Sequence, residues 1–186
     1  MTGSLHELAG RIGHRFGDEE LLRTALRHRS WIAENDGHES NERLEFLGDA
    51  VLGWVVADLV YRRYDDLAEG KLTDLRKSVV NAIALGGMAD RLGVGEHLML
   101  GRGEDAAGGR EKTSILSDAL EAIFGAVYLD AGADAAYRVI SALFREQMVE
   151  ALAGLDRLDA KTRLQELASR VGGGHVQYRV TDEGPD

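Results

Sequence analysis

The chain contains no cysteine. Disulfides, cysteine-ligated metal centres and cysteine nucleophiles are therefore excluded, and the absence agrees with a reducing compartment. There is a single proline, Pro185, so no proline interrupts helix formation anywhere before it. The longest apolar run, Ala50 to Ala57, is too short to cross a bilayer. The start, MTGSLHELAG, has no basic region followed by an apolar stretch, so no signal peptide is expected. These absences predict a cytoplasmic protein with no membrane partner. An excess of basic charge is also missing, since 22 Lys and Arg face 32 Asp and Glu, a net charge of -10. A protein that binds a polyanion usually carries a basic surface. Composition alone thus favours reading the charge as solubilising. It does not exclude a nuclease, because metal-assisted cleavage of phosphodiesters needs carboxylates, and those count as negative.

What is present is helical periodicity. With 186 residues and 44% apolar content, the chain is long enough for one domain of ordinary size plus a short extra segment. Leu5 to Ile12 places Leu5, Leu8 and Ile12 on one side of a short helix. Asp18 is suited to cap a helix through Leu21, Leu22, Ala25 and Leu26. Ser40 or Asn41 precedes a longer helix from Glu42 to about Tyr64, and Leu72 to Leu92 carries one or two more. Gly101 to Gly109 holds four glycines and reads as a loop. A helix from about Ser114, as N-cap, to Asp130 follows, then another from Ala133 to Ala153. No segment before Gly174 alternates as a strand, so this part is expected to be all-α. After Gly154 the character changes. Leu158 to Arg170 reads as one more amphipathic helix, Gly172 to Gly174 as its stop, and His175 to Val180 as a strand. One helix and one strand cannot close a core. That tail is expected to belong to something larger or to be loosely ordered.

The acids carry the chemistry. In Asn41 to Leu52, Glu42, Glu45 and Asp49 fall at i, i+3 and i+7, one face of a helix. Leu44, Phe46, Leu47, Val51 and Leu52 cover most of the remaining circumference, and a helix apolar nearly all round is expected to be buried. The pattern recurs in Ile115 to Leu129, where Asp118 and Glu121 are the only acids in an apolar run. No lysine or arginine lies between Thr113 and Ala136 to pair with them locally. Buried carboxylates are costly unless paired or bound to a cation. Two helices that each carry such a pair, Glu45 with Asp49 and Asp118 with Glu121, can offer four carboxylates to a hard cation. Oxygen ligands without histidine or cysteine fit Mg²⁺, or Mn²⁺ in its place, better than zinc. A metal-dependent phosphohydrolase follows. The competing reading pairs these acids with arginines from other helices, such as Arg43, Arg76 or Arg91.

Other motifs lead nowhere. Gly101 to Ala106 matches G-x-G-x-x-A, but no strand precedes it, no helix is expected to open there, and no βαβ pattern surrounds it. No organic cofactor is expected. The six histidines lack metal-binding spacing, and His28 reads as a structural hydrogen-bonding residue. No G-x-S-x-G supports a serine hydrolase.

The segment NERLEFLGDAVL, Asn41 to Leu52, resembles the signature of the ribonuclease III family. The resemblance continues at Ala25 to Ser30 (A-L-R-H-R-S, arginine standing where the family's threonine is usual), at Glu69 to Thr73, at Leu100 to Glu104 and at Ser114 to Gly132. It covers roughly Leu5 to Glu150. It implies an all-α endonuclease domain over residues 1–153. Residues 154–186 would be a linker and the incomplete N-terminal part of an α+β double-stranded-RNA-binding domain, which Leu158 to Leu167 resembles. It implies Glu45, Asp49, Asp118 and Glu121 as metal ligands, with Asp49 and Glu121 catalytic. Glu42 and Glu69 fall on auxiliary acids, and Phe46 on an aromatic that packs across a homodimer interface. The implied partner is double-stranded RNA, cut by metal-activated water to leave 5′-phosphate and 3′-hydroxyl ends in ribosomal and other RNA processing. Without the basic remainder of the binding domain, weak RNA affinity with cleavage retained at low salt is expected. Two alternatives remain at this point: a metal-dependent nucleotide phosphohydrolase, and a non-catalytic RNA-binding relative of the same fold.

Overall fold

A computed structural model of the chain describes the backbone of residues 4–170, with side chains through residue 155 and at Arg157. Helices are its only regular elements apart from one isolated β-bridge, between Arg27 and Met99. The expected stop at Gly172 to Gly174 and the strand at His175 to Val180 lie outside the described residues.

Local signals set the early helices. Helix α1, Leu5–Ile12, opens on a capping box: the Glu7 amide donates to Ser4 Oγ at 3.2 Å, and the Ser4 amide donates to Glu7 Oε2 at 3.0 Å. Helix α2, Glu19–Ala25, is capped by Asp18, which accepts from the Glu20 amide at 2.9 Å. The short α3, Arg29–Ile32, is capped by His28. Helix α4, Glu42–Arg63, begins after Asn41, whose side chain makes no cap bond and instead donates to the Ala25 carbonyl at 3.3 Å. Helices α5, Glu69–Val79, and α6, Ala82–Arg91, are separated at Asn81, which accepts from the Ala84 amide at 3.0 Å.

Two expectations need correction here. Gly101 to Gly109 is not all loop, because Arg102–Ala106 forms a short helix, α7, and Gly109–Glu111 a 3₁₀ turn. Helix propensity was overridden by neighbours. The Gly101 amide donates to Ser30 Oγ at 2.9 Å, and the Arg102 amide donates to Glu34 Oε1 at 2.8 Å. A Cβ on Gly101 would meet the Ser30 carbonyl oxygen at 2.5 Å. The glycine is needed for this close approach to α3, not for a dinucleotide. The second correction concerns α8, Thr113–Arg170. It starts at Thr113, so Ser114 lies inside the helix rather than capping it. Its one interruption is Gly132, at φ 79° and ψ −175°, a conformation that suits glycine. The backbone then stays helical past Gly154, so the expected change of character there is not a break in the chain's path.

Helix α8 is the centre of the molecule and packs against α2, α4, α5 and α6. Ala119, Leu120, Ala122, Ile123, Phe124, Ala126 and Val127 are all fully buried, so this stretch is enclosed except where the half-buried Asp118 and Glu121 lie. The Phe124 and Phe144 rings, 6.1 Å apart, continue the core past the break. Helix α4 is different. It buries Leu44, Gly48, Val51, Leu52, Val55, Val56 and Val60, and leaves Phe46, Trp54 and Tyr61 exposed. The expectation that α4 is buried all round does not hold, because within one chain only one of its stripes reaches α8.

Candidate metal centre

The site is built where α4 crosses α8. Their backbones touch through two glycines. A Cβ on Gly48 would lie 1.7 Å from the Glu121 carbonyl oxygen, and one on Gly125 would lie 2.4 Å from the Leu44 carbonyl oxygen. No other residue permits this approach. Gly48 lies between Glu45 and Asp49, and Gly125 lies one turn beyond Glu121. The crossing therefore brings the two acid pairs to the same place. Carboxylate oxygens of Glu45, Asp118 and Glu121 lie within 4.8 Å of one another, all three side chains half-buried.

Asp49 is exposed, at the rim of the cluster, yet its charge acts on Glu121. Four carboxylates in apolar surroundings were expected; the structure has three half-buried ones and one exposed. None of the four forms an ion pair among the described residues. Arg43, one of the arginines that the competing reading set against them, pairs with Glu39 at 3.8 Å.

Uncompensated acids this close resist ionisation. Burial pushes Glu121 up to about 7, and the neighbouring charges of Asp49, Asp118 and Glu45 push the same way. Burial also raises Glu45, reinforced by Asp118 and Glu42 and opposed by Arg29. A divalent cation among these oxygens removes the mutual repulsion, so the donor set fits a hard metal ion.

A cavity of about 410 Å³ opens on the cluster, lined by His28, Arg29, Glu42, Glu45, Glu104, Lys112 and Asp118 among others. Glu42 is exposed on its wall and accepts from Ser40 Oγ at 2.8 Å. Glu69 is not part of this lining. It is exposed in the first turn of α5 and accepts from Thr73 Oγ1 at 2.9 Å. Phe46 is 81% exposed, one turn from Glu42 on the outer face of α4.

Four titratable lining residues were not among the expected site residues: His28, Arg29, Glu104 and Lys112. His28 does have the structural role read from the sequence, accepting from the Ser30 amide at 3.3 Å through Nδ1, but it also faces the acids. Burial pushes its imidazole down, with Glu104 pulling the other way. Glu104 and Lys112 form an ion pair at the cavity wall. No spacing in the sequence links them to Glu45, because α7 is carried there by its bonds to α3.

This arrangement has relatives. A family model described as Ribonuclease-III-like matches residues 18–148. The chain belongs to the ribonuclease-III-like family. Its ribonuclease-III-like relatives include Ribonuclease 3 of Streptomyces coelicolor, 51% identical over 180 residues, 96% of this chain and 64% of that protein. Ribonuclease 3 of Thermobifida fusca is 51% identical over 168 residues, 90% of this chain and 70% of that protein. The chain thus spans about two thirds of the length of these relatives. Among solved structures, the nuclease domain of ribonuclease III from Campylobacter jejuni superimposes with a TM-score of 0.72 at 39% identity, covering 77% of this chain and 97% of that one. That structure is described as flexible in a region involved in dimer formation. The all-α ribonuclease-III-like fold expected from the sequence is the fold observed. No helix among the described residues is long and apolar enough to cross a membrane.

Proposed function

We propose that the chain is a homodimeric endoribonuclease that hydrolyses double-stranded RNA with Mg²⁺, or Mn²⁺ in its place, leaving 5′-phosphate and 3′-hydroxyl ends. The observation that carries this reading is the cluster of Glu45, Asp118 and Glu121, half-buried, within 4.8 Å of one another and without a cationic partner among the described residues. Relatives named Ribonuclease 3 support the same reading.

In this reading Glu45, Asp49, Asp118 and Glu121 hold the cation. When bound, it activates water and neutralises charge developing on the phosphodiester. Asp49 and Glu121 are the catalytic pair. Asp49 reaches the cluster from the exposed rim, where an RNA strand approaches, and Glu121 from the enclosed side. Glu42, on the cavity wall, positions the strand. Glu69 lies outside the cavity, so its auxiliary role needs RNA or a second subunit that extends beyond this pocket. Phe46, Trp54 and Tyr61 form an exposed apolar stripe on α4, and a second copy of the chain would cover it. Residues 1–153 act as the nuclease domain, and residues 154–186 as the linker and beginning of an RNA-binding segment. RNA duplexes of ribosomal and other transcripts, processed in the cytoplasm, are the substrates.

The test is cleavage of a labelled RNA hairpin with Mg²⁺ by the wild-type chain and by Glu121→Gln. Wild type cuts. The variant binds the hairpin and loses more than about 100-fold in rate, the upper end of what losing a group that only supports a ligand costs. Turnover of mononucleotides in preference to the hairpin would favour a nucleotide phosphohydrolase instead. Binding without cleavage by the wild type would make it a non-catalytic relative.

A further inference from the structure

The cavity beside the acidic cluster has two cations in its wall, and they are used differently. Lys112 is held by Glu104. Arg29 is exposed and lines the same cavity, and its guanidinium makes no ion pair or hydrogen bond among the described residues. It lies close enough to the acids for its charge to act on Glu45 and Glu104, and on His28 beside them. Nearby arginines behave otherwise: Arg27 pairs with Glu20, Arg23 with Glu19, Arg43 with Glu39 and Arg102 with Glu34.

The backbone that carries Arg29 is held from both sides. The His28 amide donates to the Met99 carbonyl at 3.1 Å, and the Met99 amide donates to the Leu26 carbonyl at 2.9 Å. His28 Nδ1 and Ser30 Oγ are 2.8 Å apart, and Ser30 Oγ also accepts from the Gly101 amide. Buried Arg27 is fixed by Glu20 and Thr24 on the other flank. A guanidinium left unpaired on a backbone this well anchored, facing a cavity that opens on carboxylates, is arranged for an anion that arrives from outside. Its planar fork matches the paired oxygens of a phosphate.

We infer that Arg29 is the phosphate-gripping residue of this site: it binds a backbone phosphate of the RNA strand lying over Glu45 and Asp118. This rests on the reading of the chain as a double-stranded-RNA nuclease. The alternative role for Arg29 is to offset the charge of the acids. The two separate on RNA binding, because an arginine that only offsets the acids contributes nothing to it, whereas one that grips a phosphate does.

The experiment measures hairpin binding against KCl concentration at constant Mg²⁺, in a Glu121→Gln background that leaves the RNA uncut. Into it are placed Arg29→Ala, Arg29→Lys and, as a control with the same change in charge, Arg23→Ala. Mn²⁺ binding by wild type and Arg29→Ala, followed by electron paramagnetic resonance without RNA, is the second readout. Arg29→Ala is expected to bind the hairpin roughly tenfold more weakly, with the slope of log K against log salt shallower by about 0.9. Arg29→Lys restores the slope and part of the affinity, and Arg23→Ala changes neither. An unchanged slope and affinity in Arg29→Ala overturn the inference and leave the nuclease reading standing, with tighter Mn²⁺ binding then identifying Arg29 as a charge-offsetting residue. Failure of the Glu121→Gln protein itself to bind the hairpin overturns both.

Discussion

Helices α4 and α8 look alike as strings of residues, and the molecule treats them differently. Each sets an acid pair at i, i+3 or i+4 into an apolar run. In α8 the residues around the acids are enclosed, with Ala119, Leu120, Ala122 and Phe124 in the core. In α4 one stripe is covered by α8 and the opposite stripe, Phe46, Trp54 and Tyr61, is left on the surface. The same hydrophobicity thus serves a core in one helix and, in the reading proposed above, a contact between subunits in the other. An apolar run announces that something will cover it. It does not say whether the cover comes from the same chain.

The sharpest way to break the comparison is at the crossing itself. Gly48→Ala places a methyl group on the Glu121 carbonyl, where neither backbone can yield without moving a helix. It should cost about 3 kcal/mol or more, measured by urea unfolding. Gly10→Ala, in α1 where nothing lies within 4 Å, should instead stabilise by about 0.5–1 kcal/mol. Equal behaviour of the two variants would mean that α4 and α8 do not touch.

The two phenylalanines test the two faces. Phe124→Ala removes a fully buried ring and should cost about 3–5 kcal/mol. Phe46→Ala should change the unfolding free energy of the monomer by no more than about 0.5 kcal/mol. It should nevertheless shift sedimentation toward the monomer and make the melting temperature less dependent on concentration. A Phe46→Ala protein that stays dimeric would detach the exposed stripe from assembly.

A smaller effect separates the enclosed acid from the rim acid. Glu121 holds its proton to about pH 7, against 4.5 for an ordinary glutamate. The native state therefore binds more protons than the unfolded state between those values, and metal-free stability falls as pH rises through that window. Glu121→Gln should remove the fall. At pH 8 its metal-free melting temperature should exceed that of wild type by a few degrees, at about 2–4 °C per kcal/mol relieved, and at pH 4 the gap should close. Asp49→Asn, at the exposed rim, should give a smaller rise. Added Mg²⁺ should raise the wild-type melting temperature more at pH 8 than at pH 5, since binding needs the deprotonated acid. A flat pH profile in the wild type would contradict the enclosure of Glu121.

Much of this was legible in the residues. Ser4 with Glu7, and Asp18, start helices by hydrogen bonds that span two or three positions, so local sequence is enough to read them. The spacing was enough to pair Glu45 with Asp49 and Asp118 with Glu121, because a 3.6-residue period fixes which side chains share a face. Helix α7 was not legible, since its glycines argue for a loop and only the bonds to Ser30 and Glu34 hold it. Nor was the path past Gly154, where the helix runs on without a local stop.

The sequence by itself determined the helical class, most helix starts and the four acids, all properties of neighbours a few residues apart. The tertiary structure alone decided that Gly48 and Gly125 let two backbones touch, that Glu121 is half-buried while Asp49 is exposed, and that Arg29, Glu104 and Lys112 share a cavity with Glu45 and Asp118. Those outcomes depend on which distant segment fills the space beside a residue, and burial and charge environment act through space rather than along the chain.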